Sequence, residues 1–389
     1  MPITPRALNL DDLRDRARRR LPRMVFEFID GGAEDETTVR ANRHAFDDLA
    51  FRPRVLVDVS RRSQDVTLLG RSLSTPVLLA PTGLSRVAGR DGELAAARAA
   101  TACGTLSVVS TAASVTLEDV AAAAGEPQWF QLYPWGDRAV TTALIERAQR
   151  LGYTAMVITA DVPITGGRER DQRTGMTVPP RVTPRTGYDV ARRPRWLAEL
   201  LTGPPITFAN LVELFPHLGS SASSLAQQSL KLLSPAHTWA DLAWMKEVWG
   251  GPTLLKGVMC AEDAVLAVEH GCDGVIVSNH GGRQCDHLPA TIDVLPEVVA
   301  AVDGRAEVLL DGGVRRGSDV VKALALGARA CLIGRPWLYG LATAGEAGVV
   351  QALEMLRTEI DRTLALVGRP AIGDLDPTVL RRRRGSGWE

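Results

Sequence analysis

What this 389-residue chain lacks bounds it before any motif is read. It has no charge imbalance: 45 lysines and arginines face 45 aspartates and glutamates, so the total leaves no electrostatic footprint for nucleic acid. It is poor in cysteine. The five (103, 260, 272, 285 and 331) are odd in number, scattered and without a C-x-x-C pair, which argues against a disulfide scaffold or a zinc site and for reduced thiols in the cytoplasm. No metal is expected. No run approaches the roughly 18 apolar residues of a membrane span. The opening "MPITPRALNLDDLRDRARRR" is charged throughout and lacks the apolar core of a secretory signal. A cytoplasmic protein is expected, peripheral at most to the inner face of the cell membrane.

From residue 77 onward, short apolar runs alternate with helix-like segments. The runs are 77–80, 106–110, 128–132, 155–159, 253–256, 274–278, 308–311 and 330–334. Several are unbroken Val/Ile/Leu, as expected of strands covered on both faces in a parallel sheet. Eight β-α units predict an α/β fold, a TIM (β/α)8 barrel, with one long insertion after strand four, where the gap runs from 155 to 253. A doubly wound sheet would need a G-x-G-x-x-G after a strand, and none is found. The division read from the chain is a single domain over 1–389: an N-terminal cap at 1–76, a barrel at 77–370 interrupted by an insertion or lid at 175–238, and a tail at 371–389. Within the cap, "AFRPRVLVDV" and "QDVTLLGRSLS" read as strands closing the N-terminal end of the barrel, and "PRMVFEFIDGG" as a helix ended by glycine. The insertion predicts an excursion with a short helix or two around a Ser/Ala/Gln-rich stretch at 219–229. The final "RRRRGSGWE" predicts a solvated, disordered end.

Polar residues fall at the C-terminal ends of almost every predicted strand, where barrels do their chemistry. Strand one leads into Ala80, Pro81, Thr82 and Gly83. Strand two ends at Ser110; strand three carries Gln131 and Tyr133; strand four ends at Thr159, followed by Asp161, Arg168 and Asp171. Strand five ends in Lys256, strand six in Ser278, His280 and Arg283, strand seven in Asp311, strand eight in Gly334 and Arg335. One such residue is most simply a satisfied turn; eight in register are not. The stretch "LLDGGVRRGSDVVKALALGARACLIGR" adds Gly313 and Arg315 to Gly334 and Arg335, the place where barrels commonly bind phosphate through glycine turns, a helix N-terminus and an arginine.

Together with "GGAEDE", "RPRVLVDVS", "LLAPTG", "WFQLY", "ITADVPITGGRERD", "LLKGV" and "VSNHGGRQCD", these features make the chain resemble the FMN-dependent L-2-hydroxy acid oxidase/dehydrogenase family (glycolate oxidase, L-lactate dehydrogenase, mandelate dehydrogenase), with "RRPRWLAELLTGPPITFANL" closest to the bacterial lactate and mandelate dehydrogenases. The resemblance implies FMN as cofactor and oxidation of a small-molecule 2-hydroxy acid to the 2-oxo acid, with quinone or O2 as electron acceptor. It implies His280 as the base, Asp161 as its partner, Tyr133 on the substrate hydroxyl, and Arg168 and Arg283 on its carboxylate. Lys256 would stabilise reduced flavin. Ala80, Pro81, Thr82, Gly83, Ser110, Gln131, Thr159 and Ser278 would line the flavin ring, Asp311 the ribityl chain, and Gly313, Arg315, Gly334 and Arg335 the phosphate. A homo-oligomer, typically a tetramer, and membrane or quinone contact through the insertion are further implications.

Departures from the family pattern bear on the substrate. A carboxylate-binding tyrosine is replaced by Phe28, and a tryptophan of glycolate oxidase by Ala112. Both favour a side chain larger or more apolar than that of glycolate. Gly83, beside the expected flavin, favours dehydrogenase over oxidase behaviour. Arg192, Arg193 and Arg195 beside Trp196 and Leu197 allow either a basic-aromatic helix on an anionic surface or a lid with a charged outer face. Competing readings are another phosphate-binding barrel, which leaves His280 and Arg283 without purpose and offers only Cys285 as a loop thiol; a tailoring enzyme using the same chemistry on an elaborate substrate; and a flavin-binding remnant.

Overall fold

A computed structural model describes residues 7–177, 181, 183–212, 214, 233–384 and 387–388. Its strands are β1 (Leu49–Phe51), β2 (Val66–Leu68), β3 (Arg71–Leu73), β4 (Val77–Leu79), β5 (Val108–Ser110), β6 (Trp129–Leu132), β7 (Ala155–Thr159), β8 (Thr253–Val258), β9 (Gly274–Val277), β10 (Glu307–Leu310), β11 (Ala330–Ile333), β12 (Leu380–Arg384) and β13 (Gly387–Trp388). Strands β4 to β11 form one parallel sheet in the order β4-β11-β10-β9-β8-β7-β6-β5, closed between its ends by a bridge from Leu79 to Ser107. This is the TIM barrel expected, with every strand where an apolar run stood.

Period-two alternation sorts each barrel strand into an inward and an outward set. Leu78, Val108, Trp129, Val157, Leu254, Ile276, Leu309 and Leu332 pack into one buried interior cluster; their neighbours Leu79, Val109, Phe130, Ile158, Leu255, Val277 and Leu310 pack with the surrounding helices. The same parity carried to the C-terminal ends turns Ser110, Gln131, Thr159, Lys256, Ser278 and Asp311 inward, making the top layer polar. The β2–β3 hairpin plugs the opposite end: Val66, Leu68 and Leu73 belong to the interior cluster, and Leu69 N–H donates to Glu307 Oε1 (3.0 Å).

Four expectations are corrected. "AFRPRVLVDV" does not close the barrel; only Leu49–Phe51 is strand, and it pairs antiparallel with β12 (Leu49 with Arg382, Phe51 with Leu380), while Val55 and Leu56 stand exposed. The tail is therefore not disordered through 384: β1 supplies it a partner, and β13 continues the ladder. Trp196 is not a surface aromatic. It is buried, and its Nε1 donates to Val87 O (2.8 Å), while Arg193 Nε donates to Leu21 O (3.0 Å). The insertion carries more helix than expected, at Pro184–Ala191, Pro194–Thr202 and Ala209–Val212; the Ser/Ala/Gln-rich stretch lies outside the described residues.

The N-terminal helices α1 (Leu10–Arg20), α2 (Arg23–Asp30) and α3 (Thr37–Asp47) lean over the C-terminal ends of the barrel strands rather than the plugged end. Asp30 is the hub. Its buried carboxylate accepts from Arg14 Nε and Nη2 (2.6 and 2.8 Å), Tyr339 Oη (2.7 Å) and Arg170 Nη1 (3.2 Å). Gly31 ends α2 as predicted, but not by left-handed backbone (φ −71°); a Cβ there would lie 2.6 Å from Glu27 O. Desolvation opposes the ionised form of Asp30, yet the Arg14 and Tyr339 bonds outweigh it and bring its pKa from 3.8 to about 2. A depressed carboxylate stabilises the fold above its unfolded pKa and loses that contribution as pH falls through its folded value. Asp30 is thus expected to contribute about 2 kcal/mol above pH 4, disappearing towards pH 2. In urea unfolding, Asp30→Asn should be less stable at pH 7 and show a flatter stability profile between pH 4 and pH 2.

Candidate active site

At the mouth of the barrel lies a cavity of about 310 Å³. Its lining includes Phe28, Ala80, Pro81, Thr82, Gly83, Ala112, Tyr133, Thr159, Arg168, Lys256, His280, Arg283, Asp311, Gly313, Arg315, Gly334 and Arg335, so most of the residues singled out in the sequence converge on one space. Ser110, Gln131, Ser278 and Asp161 stand behind it. Ser110 Oγ donates to Gln131 Oε1 (2.8 Å) and Gln131 Nε2 to Thr159 Oγ1 (3.0 Å), fixing which edge of each side chain faces inward. Ser278 Oγ accepts from Lys256 Nζ (2.6 Å) and His280 N–H (3.1 Å).

Lys256 also pairs with Asp311 Oδ2 at 2.9 Å, both side chains nearly inaccessible (4% and 10%). Burial alone would depress the ammonium; the Asp311 and Asp161 carboxylates outweigh it and hold its pKa above the usual lysine value. One residue on, β8 bulges: its register with β9 shifts between Lys256 and Val258. Gly257 adopts φ +106°, and a Cβ there would fall 2.7 Å from Asp161 Cβ. The bulge makes room for Asp161, whose Oδ1 lies 3.0 Å from His280 Nδ1. Burial raises and His280 lowers the Asp161 pKa, with a net depression.

The loop after β9 explains its own sequence. His280, Gly281 and Gly282 are consecutively left-handed (φ 56°, 63° and 72°), a conformation histidine tolerates better than most residues, and the turn closes through Gly282 N–H to Asn279 O (2.9 Å). The glycines are demanded by crowding as well: a Cβ on Gly281 would sit 2.8 Å from Arg335 Nη1, and on Gly282 2.8 Å from Val39 Cγ2. Asn279 and Asn42 exchange amide hydrogen bonds (2.9 Å each). Asp286 accepts from the N–H groups of Thr37 and Thr38 (3.0 and 2.7 Å), capping α3 from outside. Asn279 and Asp286 are thus the fasteners of the N-terminal helices, a role the local sequence could not disclose.

Four guanidinium groups crowd this mouth. Arg283 Nη1 donates to Phe28 O and Gly31 O (2.8 and 2.9 Å), and desolvation together with Arg168 and Arg335 pushes its pKa down to about 9. Arg168 sits 3.5 Å from Asp171. Both Arg168 and Arg283 lie over the Phe28 ring, at 5.7 and 5.4 Å from its centroid. Arg335 spends Nε, Nη1 and Nη2 on Asp30 O, Gly281 O and Gly31 O. Arg315 is half-buried, its pKa lowered by desolvation, and its guanidinium donates to Val314 O; Arg316 turns away to Glu359 (3.0 Å). Tyr133 is held by burial at a pKa of about 12. Among the cavity-lining residues the sequence did not single out are Ile29, Leu84, Phe208 and Leu338, apolar residues without a chemical signature.

Thr82 Oγ1, Asp311 Oδ1 and Asp161 Oδ2 are buried without a partner. Unpaired acceptors and a buried cation around one cavity fit a ligand that brings hydrogen-bond donors and an anionic group. The fold and this site together define a TIM barrel with a polar, cation-lined cavity at the C-terminal ends of its strands. Residues 17–382 match the family model described as FMN-dependent dehydrogenase, and the chain belongs to that family; its cofactor is FMN. The chain is 42% identical over 380 residues to a putative L-lactate dehydrogenase from Mycobacterium tuberculosis (97% of this chain, 90% of that one). It is 43% identical over 374 residues to a peroxisomal (S)-2-hydroxyacid oxidase from Arabidopsis thaliana (96% of each). The crystal structure of the monotopic membrane protein (S)-mandelate dehydrogenase superposes with a TM-score of 0.94 at 41% identity, covering 97% of this chain and all of that one.

Removing the buried cation tests the electrostatics directly. Lys256→Met leaves Asp311 charged and alone, and is expected to cost about 3–5 kcal/mol in chemical unfolding; Lys256→Met with Asp311→Leu should recover much of it.

Proposed function

We propose that this protein oxidises an L-2-hydroxy acid to the 2-oxo acid, with His280 as the base. The observation that carries this reading is the Asp161–His280 pair at 3.0 Å, delivered into a cavity ringed by Arg168, Arg283 and Tyr133. FMN, when bound, supplies the two-electron acceptor. The acid's carboxylate lies between Arg168 and Arg283, whose guanidinium groups carry no full carboxylate compensation and recover ion pairing when it binds. Tyr133, kept protonated by burial, donates to the 2-hydroxyl. With Nδ1 of His280 turned to Asp161, Nε2 takes the substrate proton, and the ionised Asp161 stabilises the imidazolium. Lys256 offers the positive charge that reduced flavin needs. Thr82 and Asp311 would hold cofactor hydroxyl or ring atoms; Gly313, Arg315, the N-terminus of the helix Arg335–Ala344 and the charge of Arg335 would hold its phosphate.

Phe28 and Ala112 favour a substrate larger or more apolar than glycolate, such as lactate or a mandelate-like acid. The electrons pass on to quinone or O2. Peripheral membrane contact through the insertion is supported by the exposure of Tyr188 and Leu201 beside Arg185 and Arg192, and assembly into a homotetramer by the exposed Val55 and Leu56.

Anaerobic titration of the flavin absorbance is the first test. One L-acid should bleach it and its D-enantiomer should not; a flavin that no 2-hydroxy acid reduces would sink the proposal. His280→Asn, chosen because asparagine accepts left-handed backbone, should keep FMN and slow reduction by about 10²–10⁴-fold. Phe28→Tyr returns a hydroxyl to the carboxylate; a charged hydrogen bond is worth roughly 1.5–3 kcal/mol, so the KM should fall about ten-fold or more in steady-state assays.

A further inference from the structure

The insertion reaches the cavity through residues 207–212. Ala209 N–H donates to Ala113 O (3.1 Å), Leu117 N–H donates to Asn210 Oδ1 (2.9 Å), and Asn210 Nδ2 donates to Val115 O (3.3 Å). Asn210 and Leu211 are completely buried. One amide side chain thus clamps the insertion to the loop after β5, and the residue just before the clamp, Phe208, lines the cavity. It shares the cavity lining with Ala112, the neighbour of the clamped Ala113. Ala112 in turn abuts Gly83, where a Cβ would stand 3.1 Å away, and accepts from Leu84 N–H through its carbonyl (3.0 Å).

The cavity is therefore divided by chemistry. His280, Tyr133, Arg168 and Arg283 supply groups for the hydroxyl and carboxylate that every 2-hydroxy acid shares. Leu84, Ala112 and Phe208 supply an apolar wall with no hydrogen-bonding side chain, suited to the part of the acid that differs. We propose that Phe208 is a specificity-determining residue: with Leu84 and Ala112 it encloses the substrate's side chain and selects 2-hydroxy acids bearing an aryl or comparably large apolar group. This rests on the reaction proposed above and extends it. An aryl ring fills the space that Ala112 leaves and packs against the Phe208 ring; a methyl group leaves it to water. The clamp at Asn210 makes the insertion part of the substrate site.

The test uses the full-length FMN-loaded enzyme and the ratio of kcat/KM for L-mandelate or L-3-phenyllactate to that for L-lactate. Phe208→Ala should lower the ratio about ten-fold, through KM more than kcat, and Phe208→Tyr should retain it. Asn210→Ala, which releases the segment without touching the wall, should move the ratio in the same direction. An unchanged ratio in Phe208→Ala, or an equal loss for all three acids, overturns the proposal. A second measurement is independent of turnover: perturbation of the flavin spectrum by benzoylformate against pyruvate. Benzoylformate binding should weaken selectively in Phe208→Ala, and equal binding to both proteins again overturns the assignment. Failure of the reaction itself looks different: no 2-hydroxy acid would reduce the unsubstituted enzyme.

Discussion

A lysine ammonium at the centre of a closed barrel has to be neutralised before the rest of the catalytic end can exist. Lys256 is, by Asp311 at 2.9 Å, with Asp161 contributing from the other side. In a medium of low polarity these charges are tolerated only as a set, and their positions determine what surrounds them. Asp311 keeps one carboxylate oxygen unspent. Asp161 needs the space that the Gly257 bulge clears, and only from there does it meet His280. The bulge and the ion pair involve consecutive residues of one strand, so the placement of Lys256 and that of Asp161 beside His280 share a single mechanical origin.

Around that set, cations outnumber anions. Arg168, Arg283, Arg315 and Arg335 gather at the mouth, and burial together with the neighbouring Arg168 and Arg335 pushes the Arg283 pKa down. Backbone carbonyls of Asp30, Gly31 and Gly281 relieve Arg335, and the Phe28 ring offers its face to two guanidinium groups. Such an arrangement costs stability on its own, and under the proposed function a phosphate and a carboxylate would offset that cost. The N-terminal helices are fastened over this mouth: Asp30 bonds Tyr339 and Arg170, Asn42 pairs with Asn279, and Asp286 accepts from the N–H groups of Thr37 and Thr38.

Most of the barrel and its polar rim could be read directly from the chain, because both obey short-range rules. Unbroken Val/Ile/Leu runs mark buried parallel strands, and a polar residue ending each run lands on the same rim. What could not be read depended on partners distant in sequence. Nothing in "RRRRGSGWE" announces that β1 waits to pair with it, and nothing around Trp196 says that Val87 O will take its indole N–H. Asn279 and Asp286 sit in a motif that looks wholly catalytic, yet they fasten helices some 240 residues away. Phe208 had no signal at all, since an apolar residue in an insertion looks like packing until its clamp is seen.

The pairing of β1 with β12 has a consequence for how the molecule is made. Leu49 meets Arg382, so the strand that ends the helical cap emerges from the ribosome early and must wait for more than three hundred residues before its neighbour exists. Contacts of such sequence separation form slowly and leave an unpaired edge exposed meanwhile. The wait ends only after the last barrel strand has been synthesised. Nascent chains stalled before residue 380 would carry β1 without its β12 partner, while already containing every group proposed here to touch cofactor or substrate.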